Sequence, residues 1–338
     1  MPQSQKGEIV LQFVKDYETK LREGEISKSG LARLIYKDYP DLFNDAEDVR
    51  DKIRTYTGAH GDKSRNEVKE GYTFKSDIEH GQKANKIPQS LAEDKKDFIL
   101  PTGKKYLVLS DIHFPFHTEE ALNEALIQGK DCDAVYLNGD TLDFYFNGRF
   151  MVDPRMIKKF DLRTEIEYCR DFLEYLSENF EKVYFKVGNH CERWQKYIWK
   201  NAERLSDLPD FDLENILQLG KNNVGYVESQ QAAMLGDTVI LHGHEKFGMF
   251  TPLNVGQSFA KWWQQVSGKL EVKGINGHHH ISQDTILPNL DKTNAEWHTS
   301  GCLCTLTPSY RLQNRWNHGF MILDSNEDGK TQINNIRL

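Results

Sequence analysis

Five short motifs in the last two thirds of the chain consist of side chains that can bind metal ions. They are Asp111-Ile112-His113, Gly139-Asp140, Gly188-Asn189-His190, His242-Gly243-His244 and Gly277-His278-His279-His280. Carboxylate, amide and imidazole groups together favour Mn, Fe or Zn, whereas Ca²⁺ prefers a larger number of oxygen ligands. The glycines before Asp140, Asn189 and His278 permit tight turns in which the backbone approaches a ligand closely. The motifs therefore predict a metal site assembled from distant parts of the chain.

The elements that must position these motifs are short apolar strands. Predicted strands cover residues 105–110, 134–138, 182–187, 238–242, 272–276 and 319–324, and two amphipathic segments, 121–129 and 160–180, are predicted helices. Each motif begins at the end of one of the first five strands. This alternation is typical of an α/β domain, in which functional side chains gather at the carboxyl ends of the strands. We therefore expect the five motifs to converge on one rim.

The order of the motifs resembles that of the calcineurin-like metallophosphoesterase superfamily, whose signature is D-x-H, G-D, G-N-H, an isolated H and G-H-x-H. The resemblance covers roughly residues 104–324. A single motif of this kind occurs by chance in many proteins, but five in the right order, each after a predicted strand, do not. The chain most resembles uncharacterised phosphoesterases encoded by phages and prophages. The resemblance implies two mixed β-sheets packed face to face and flanked by helices, a four-layer sandwich.

The resemblance also implies the metal ligands. Those of the first ion are Asp111, His113, Asp140 and His280. Asp140 bridges to a second ion, whose other implied ligands are Asn189, His242 and His278. His244 is an alternative to His242, because either histidine can follow the strand. The implied cofactor is a pair of divalent ions, with Mn expected first and Fe, Zn or Ni as alternatives.

The implied reaction is hydrolysis of a phosphate ester by a hydroxide that bridges the two ions. The shared carboxylate of Asp140 offsets the repulsion between two neighbouring cations. His190 is expected to lie beside the scissile phosphate without binding a metal, where it protonates the leaving oxygen or hydrogen-bonds the phosphoryl group. This reaction requires no covalent nucleophile.

The chain departs from the family pattern directly after G-N-H. Many members have Asp or Glu at that position, where the carboxylate orients the catalytic histidine, whereas this chain has Cys191. Glu192 and Asp143 are the candidate replacements. Arg193 is predicted either to contact the phosphate as a catalytic residue or to form a surface salt bridge.

Residues 1–58 have a different pattern, which predicts three short helices joined by tight connections. They resemble a helix-turn-helix module, and a small helical bundle without a ligand is the equal alternative. Residues 59–103 are polar and rich in lysine, which predicts a linker with a short ordered segment at 71–74, followed by a phosphoesterase domain over 104–338. The basic side chains available to bind DNA or RNA through the helices are Arg50, Arg54, Arg65 and Lys69.

The composition limits the class of protein. The 338 residues carry a formal net charge of −8, which argues against a polybasic coat for nucleic acid or membranes but leaves room for a local basic groove. No apolar run approaches the ~18 residues that span a bilayer, and the first ten residues do not resemble a secretory signal. The five cysteines are odd in number and scattered; Cys302 and Cys304 are interpreted as neighbours on one strand. We expect a cytoplasmic protein, in the host cytoplasm if a phage encodes it.

The leading hypothesis is a phosphodiesterase that acts on nucleic acid or nucleotides, motivated by the two-metal motifs and the helix-turn-helix-like segment. The first alternative is a phosphomonoesterase acting on phosphoprotein or small metabolites, since the same metal pair serves both reactions. The second alternative is a nucleic-acid-binding regulator with a structural metal domain. A complete ligand set with open coordination argues against this last hypothesis.

Overall fold

A computed structural model describes residues 5–22, 25–57, 90–148, 161–246 and 253–338. The chain divides into two compact units, Met1–Glu93 and Asp94–Leu338. Each unit has a hydrophobic core of its own.

The described part of the first unit is helical. Its helices are α1 (Gln5–Asp16), α2 (Glu18–Arg22), α3 (Lys28–Asp38) and α4 (Ala46–Tyr56). The side chains of Ser27 and Asp45 cap α3 and α4 by accepting hydrogen bonds from backbone N–H groups at their first turns. The apolar stripe of Ile9, Phe13 and Tyr17 predicts one helix, whereas the structure has α1 and α2 with a break at Tyr17. The three stripe residues pack against the core of the unit, in which Val10 and Val14 are the buried side chains of α1.

Most of the predicted linker, residues 59–89, lies outside the described residues, as do the predicted segment 71–74 and two of the predicted basic residues, Arg65 and Lys69. The described end of the predicted linker contains a strand, β1 (Phe98–Leu100), which was not predicted because three residues are too few to show a pattern. The boundaries assigned to the three regions from the sequence remain predictions.

Two mixed six-stranded sheets make up the centre of the second unit. The strands after β1 are β2 (Lys105–Leu109), β3 (Ala134–Asn138), β4 (Lys182–Lys186), β5 (Gly225–Val227), β6 (Ala233–Leu235), β7 (Thr238–Leu241), β8 (Val272–Asn276), β9 (Gln283–Pro288), β10 (Asn294–Thr299), β11 (Gly319–Ser325) and β12 (Thr331–Arg337). Sheet I has the order β12-β11-β2-β3-β4-β5, and sheet II has the order β1-β6-β7-β8-β10-β9. Each sheet combines parallel and antiparallel pairs.

Alternating side chains of sheet I face two different layers. Tyr106 and Val108 of β2 lie in a core shared with Ile240 and Ile275 of sheet II, so the two sheets pack face to face. Leu107, on the other face of β2, lies in a core shared with helices. The helices of this unit are α5 (Glu119–Gln128), α6 (Leu162–Asn179), α7 (Glu192–Asn201), α8 (Leu213–Ile216) and α9 (Val255–Ser267).

Helices α5, α6 and α7 contribute to the core on the outer face of sheet I, and α9 packs on the outer face of sheet II. This arrangement confirms the predicted fold class of an α/β sandwich of two mixed sheets with helices outside. No helix among the described residues is both long enough and apolar enough to cross a membrane.

The strands that carry the motifs are aligned so that their carboxyl ends meet. Strands β2, β3 and β4 are adjacent and parallel in sheet I, and β7 and β8 are adjacent and parallel in sheet II. The bounds of all five agree with the sequence prediction to within one residue. The fold therefore brings all five motifs to one edge of the sandwich, as expected for functional side chains of an α/β domain.

Candidate metal centre

Several of the predicted ligands leave their strands through left-handed backbone. Residues with φ between 48° and 66° include Asp111, His113, Asp140, His278 and His280. Non-glycine residues rarely adopt this conformation, and each costs on the order of 1–3 kcal/mol. Strain of this kind is concentrated at functional sites, where the surrounding structure holds a side chain in a required direction.

Two glycines of the motifs allow the close approach that the sequence analysis predicted. A Cβ atom at Gly188 would overlap Oδ1 of Asp140, and one at Gly139 would overlap the ring of His242. Gly139 also has a positive φ of 85°. Both positions therefore require glycine if the side chains from different strands are to meet.

The four predicted ligands of the first ion lie together and are buried. Oδ1 of Asp111 is 3.1 Å from Nε2 of His280 and 3.9 Å from Nε2 of His113. Nε2 of His113 is 4.0 Å from Oδ2 of Asp140. The structure thus brings side chains from β2, β3 and the loop after β8 to one point.

The predicted ligands of the second ion surround the same carboxylate. Oδ2 of Asp140 is 3.1 Å from Nε2 of His242, which is 3.3 Å from Oδ1 of Asn189. A ligand atom of His278 lies within 4.8 Å of ligand atoms of Asp140 and His242. Asp140 therefore belongs to both groups, as a bridging ligand must.

His242, rather than His244, lies in this cluster. The side chain of His242 is fully buried against Asp140. Nε2 of His244 is instead 2.7 Å from the Ser229 hydroxyl. The geometry favours His242 between the two alternatives that the sequence left open.

Hydrogen bonds to Nδ1 of His113 and His242 leave Nε2 of each ring available to bind a metal. Nδ1 of His113 is 2.9 Å from Oδ2 of Asp143, and Nδ1 of His242 is 2.7 Å from the Asn138 carbonyl oxygen. Because an ionised carboxylate and a carbonyl can only accept, both Nδ1 atoms donate, and in the neutral rings that bind a metal both Nε2 atoms carry a lone pair. Nε2 of His113 is buried and has no hydrogen-bond partner among the described residues, and Nε2 of His242 faces an oxygen of Asp140. Lone pairs that face one another fit a bound cation.

The buried carboxylates favour positive charge in the cluster. Burial lowers the pKa of His242, but the charge and hydrogen bond of Asp140 together with the charges of Asp111 and Glu245 outweigh burial and raise the pKa to about 9. Burial also lowers the pKa of His280, but the charge and hydrogen bond of Asp111 together with Cys302 outweigh it and raise the pKa to about 9. Divalent ions supply the positive charge that these carboxylates attract. The donor set thus fits two metal ions.

Asp143, rather than Glu192, is the candidate replacement that contacts His190. Its backbone carbonyl oxygen accepts hydrogen bonds from Nδ1 of His190 at 3.1 Å and from Nη1 of Arg193 at 3.0 Å, and its Oδ1 is 3.5 Å from Nδ1 of His190 and 3.2 Å from Nη1 of Arg193. Glu192, the other candidate, contacts a serine and a lysine instead. Burial raises the pKa of Asp143, but the hydrogen bonds and charges of His113 and His190 together outweigh burial and hold the pKa well below its usual range.

His190 and Arg193 form a pair beside the cluster. Nδ1 of His190 donates to a carbonyl oxygen, so its Nε2 carries the lone pair and accepts from Nη2 of Arg193 at 2.9 Å. Ligand atoms of His190, His113 and Asp140 lie within 4.8 Å of one another. The ion pair of Arg193 with Asp143 is largely buried, with 19% and 6% of the side chains exposed, which differs from the surface salt bridge considered as an alternative.

A buried ion pair that the sequence analysis missed holds the loop of His242. Nζ of Lys186, at the end of β4, is 3.1 Å from Oε1 of Glu245 and donates to three backbone carbonyl groups. The Glu245 carboxylate accepts from the backbone N–H groups of His242 and Gly243. Two signals could have revealed this pair: a lysine that ends an apolar strand just before G-N-H, and an acidic residue directly after H-G-H.

The interpretation of Cys302 and Cys304 as strand neighbours is wrong, because both lie in isolated bridges outside the strands. Sγ of Cys304 is 3.8 Å from Nδ1 of His280, and its ligand atom lies within 4.8 Å of those of His113 and His280. The cysteine is thus a neighbour of the predicted first metal site.

The chain matches the family model for calcineurin-like phosphoesterases over residues 104–312, more than half of its length. A search of curated protein sequences finds no match.

The chain matches several solved structures. One is a single mutant of Vps29 from Entamoeba histolytica, which is 11% identical to this chain with a TM-score of 0.34, and the match covers 69% of this chain and 99% of that chain. Vps29 from Chaetomium thermophilum is 10% identical with a TM-score of 0.34, and the match covers 70% and 97%. A predicted phosphoesterase from Streptococcus pneumoniae is 15% identical with a TM-score of 0.28, and the match covers 69% and 98%. These similarities do not identify a substrate.

Replacement of Gly188 by alanine tests the packing of the shared carboxylate. The added methyl group would displace Asp140, so we expect Gly188→Ala to lower metal affinity roughly 10- to 100-fold. Gly220→Ala is the matched control, because a Cβ atom there would have no neighbour within 4 Å in the part of the chain that the structure describes. Metal content after equilibrium dialysis is the measurement, and equal content in the two variants would show that Asp140 does not need its present position.

Substitution of Asp140 and of His190 by asparagine is expected to affect metal content and turnover differently. Asp140→Asn removes the shared negative charge, so at least one ion and the activity should disappear. His190→Asn should retain both ions, while turnover falls roughly 10²- to 10⁴-fold, as expected when a general acid is removed. Metal analysis and turnover are measured on the same samples. Depletion of an ion in His190→Asn would make His190 a ligand.

Proposed function

Since the chain belongs to the calcineurin-like phosphoesterase family and is a metal-dependent hydrolase of phosphate esters, we propose that it is a phosphodiesterase that acts on nucleic acid or nucleotides. The observation that carries the proposed metal chemistry is the position of Asp140, between Nε2 of His113 at 4.0 Å and Nε2 of His242 at 3.1 Å. A shared carboxylate in this position supports a two-metal site.

The proposed ligands divide into two sets that share one residue. The first ion is held by Asp111, His113, Asp140 and His280. The second ion is held by Asp140, Asn189, His242 and His278. When two divalent ions are bound, they neutralise phosphate oxygens and make hydroxide available near neutral pH. We propose Mn as the native metal, with Fe, Zn or Ni as alternatives for this mixed set of oxygen and nitrogen donors.

His190 and Arg193 act on the phosphate itself. Because Nδ1 of His190 is held by the Asp143 carbonyl, Nε2 is the atom that can take up a proton and pass it to the leaving oxygen. The guanidinium of Arg193, next to this atom, pairs with a phosphate oxygen and neutralises its charge. Asp143 positions both side chains and keeps them in one orientation.

A cationic cavity supports a substrate with more than one phosphate. The cavity has a volume of about 740 Å³, begins at Asn189 and His190, and continues past Arg193, Lys196 and Lys200 of α7. These cations lie at intervals of three, four and seven residues and therefore share one face of the helix. A single phosphate fills little of this space, whereas a nucleic acid backbone presents phosphates in succession.

Free thiols support a location in a reducing compartment. All five cysteines are buried and unpaired, which suits the cytoplasm that we propose for this protein.

The helices of the first unit are proposed to bind DNA or RNA. Two of the predicted cations are paired on their own helix, Arg50 with Glu47 at 3.0 Å and Arg54 with Asp51 at 2.9 Å. Exposed pairs of this kind stabilise a protein by only ~0–1 kcal/mol, so phosphates can compete for the arginines.

Removal of the first unit tests this role. A shortened chain that begins at Asp94 retains β1 and the whole second unit. It should hydrolyse p-nitrophenyl esters as well as the full chain does but bind single- or double-stranded DNA and RNA more weakly. The salt dependence of binding should be shallower, by close to one unit of slope for each phosphate that the first unit neutralises. Equal affinity of the two chains for nucleic acid would leave the helices without this role.

Chelation and a choice of two substrates test the proposed activity. Complete removal of metal should abolish hydrolysis, and Mn²⁺ should restore it better than Ca²⁺, because the site contains imidazole ligands. With Mn²⁺, kcat/KM should be higher for bis-p-nitrophenyl phosphate than for p-nitrophenyl phosphate. Preference for the monoester would favour a phosphomonoesterase, and absence of turnover with Mn²⁺ would favour a nucleic-acid-binding regulator. Full activity in a metal-free sample would contradict the metal centre itself.

A further inference from the structure

A second cavity, distinct in character from the cationic one, opens beside the metal ligands. It has a volume of about 230 Å³, and its inner end is formed by His113, Asp143 and Cys304. Drug-sized ligands occupy cavities of roughly 300–1,000 Å³. The smaller volume suits one planar ring system joined to the reacting phosphate.

Aromatic side chains form much of the wall. They are Phe116, Tyr145, Tyr310 and Trp316. The ring of Trp316 packs against the proposed ligand His280, with centroids 4.2 Å apart, and the rings of Phe116 and Tyr145 meet edge to face at 6.0 Å. These contacts hold three of the rings in place, while Tyr310 is 60% exposed at the rim. Rings held in this way provide faces on which a base can stack.

The remaining wall is polar. Hydroxyl groups of Thr305, Thr307 and Ser309 lie on it, and its described lining contains no lysine or arginine. Two arginines contact lining residues without being part of the lining, Arg311 at the Trp316 ring and Arg193 at Asp143. A nucleobase would stack on the rings and exchange hydrogen bonds with the hydroxyl groups at its edge.

We propose that this aromatic cavity binds the base of a nucleoside attached to the scissile phosphate, so that the substrate is a nucleotide ester or an oligonucleotide. The inference rests on the proposed phosphodiesterase function and names its substrate class. The cavity reaches the metal centre at His113, and the cationic cavity reaches it at His190. A nucleic acid strand fits both, with a base in one and further phosphates in the other. A phosphotyrosine ring would use the first cavity but would leave the cationic one and the hydroxyl groups without partners.

Binding of product-like probes tests the base subsite without turnover. The probes are adenosine 5′-monophosphate, uridine 5′-monophosphate and ribose 5-phosphate, titrated by calorimetry into the full-length, Mn²⁺-loaded protein. All three carry the same phosphate on the same sugar, and only the first two carry a base. We expect at least one nucleotide to bind roughly tenfold or more tightly than ribose 5-phosphate, because stacking of the base on an aromatic side chain contributes free energy of binding of that size.

Substitutions at the rim test whether the aromatic cavity is the site that prefers nucleotides. Tyr310→Ala should reduce the preference for the nucleotide, because one of the four rings is lost, whereas Tyr310→Phe should retain it in full. Tyr175→Ala is the matched control, because Tyr175 is a tyrosine of α6 that is 46% exposed and lines neither cavity. It should bind all three probes as the wild type does.

Three results would overturn the inference: equal affinity for all three probes, a nucleotide preference that is unchanged in Tyr310→Ala, or tighter binding of O-phosphotyrosine than of either nucleotide. Hydrolysis of methyl p-nitrophenyl phosphate, a diester without a base, is measured on the wild type in parallel. If the protein hydrolyses this diester but shows no preference for nucleotides, the proposed base subsite is wrong and the phosphodiesterase function stands. Absence of turnover contradicts the phosphodiesterase function on which the subsite rests.

Discussion

Two carboxylates, Asp111 and Asp140, are almost completely excluded from solvent, and their charge must be balanced inside the protein. They are 0% and 1% exposed and follow neighbouring parallel strands. Buried like charges cost free energy unless positive charge or hydrogen bonds offset them. Without a metal, part of the balance comes from protonated histidines, His113 after a strand of sheet I and His242 and His280 after strands of sheet II. The fold places the carboxylates and the imidazoles so that cations would complete the arrangement, and we therefore expect metal binding and folding of this edge to be coupled.

Both sheets are needed because neither carries a complete set of donors. Of the proposed ligands, sheet I supplies Asp111, His113, Asp140 and Asn189, and sheet II supplies His242, His278 and His280. The shared core between the sheets fixes the distance between them. The Lys186–Glu245 pair adds a direct link between the end of β4 and the loop after β7. Each non-glycine residue in the left-handed conformation costs about 1–3 kcal/mol, which is large relative to a total stability of about 5–15 kcal/mol. The packing between the two sheets and the Lys186–Glu245 pair therefore stabilise these residues in that conformation.

The parts of the fold and site that sequence reasoning predicted are those with a local signal. Strands β2, β3 and β4 are continuous apolar runs that stop at glycine or at a ligand, and their bounds agree to within one residue. Strands β1, β9 and β10 are short or mixed in polarity, and pairing with neighbours decides their conformation. Lys186 is buried because Glu245, far away in the chain, neutralises it. The choice of Asp143 over Glu192 beside His190 likewise depends on which side chain the fold brings near.

Anomalous diffraction from crystals of the Mn²⁺-loaded protein tests the central claim most directly, because it locates each ion independently of activity. The account predicts two Mn²⁺ peaks with the Asp140 carboxylate between them. One ion should also contact Asp111 and His280, and the other should contact Asn189 and His278. A single peak, or two peaks of which neither contacts Asp140, would contradict the claim that this buried carboxylate is the shared ligand of a two-metal centre.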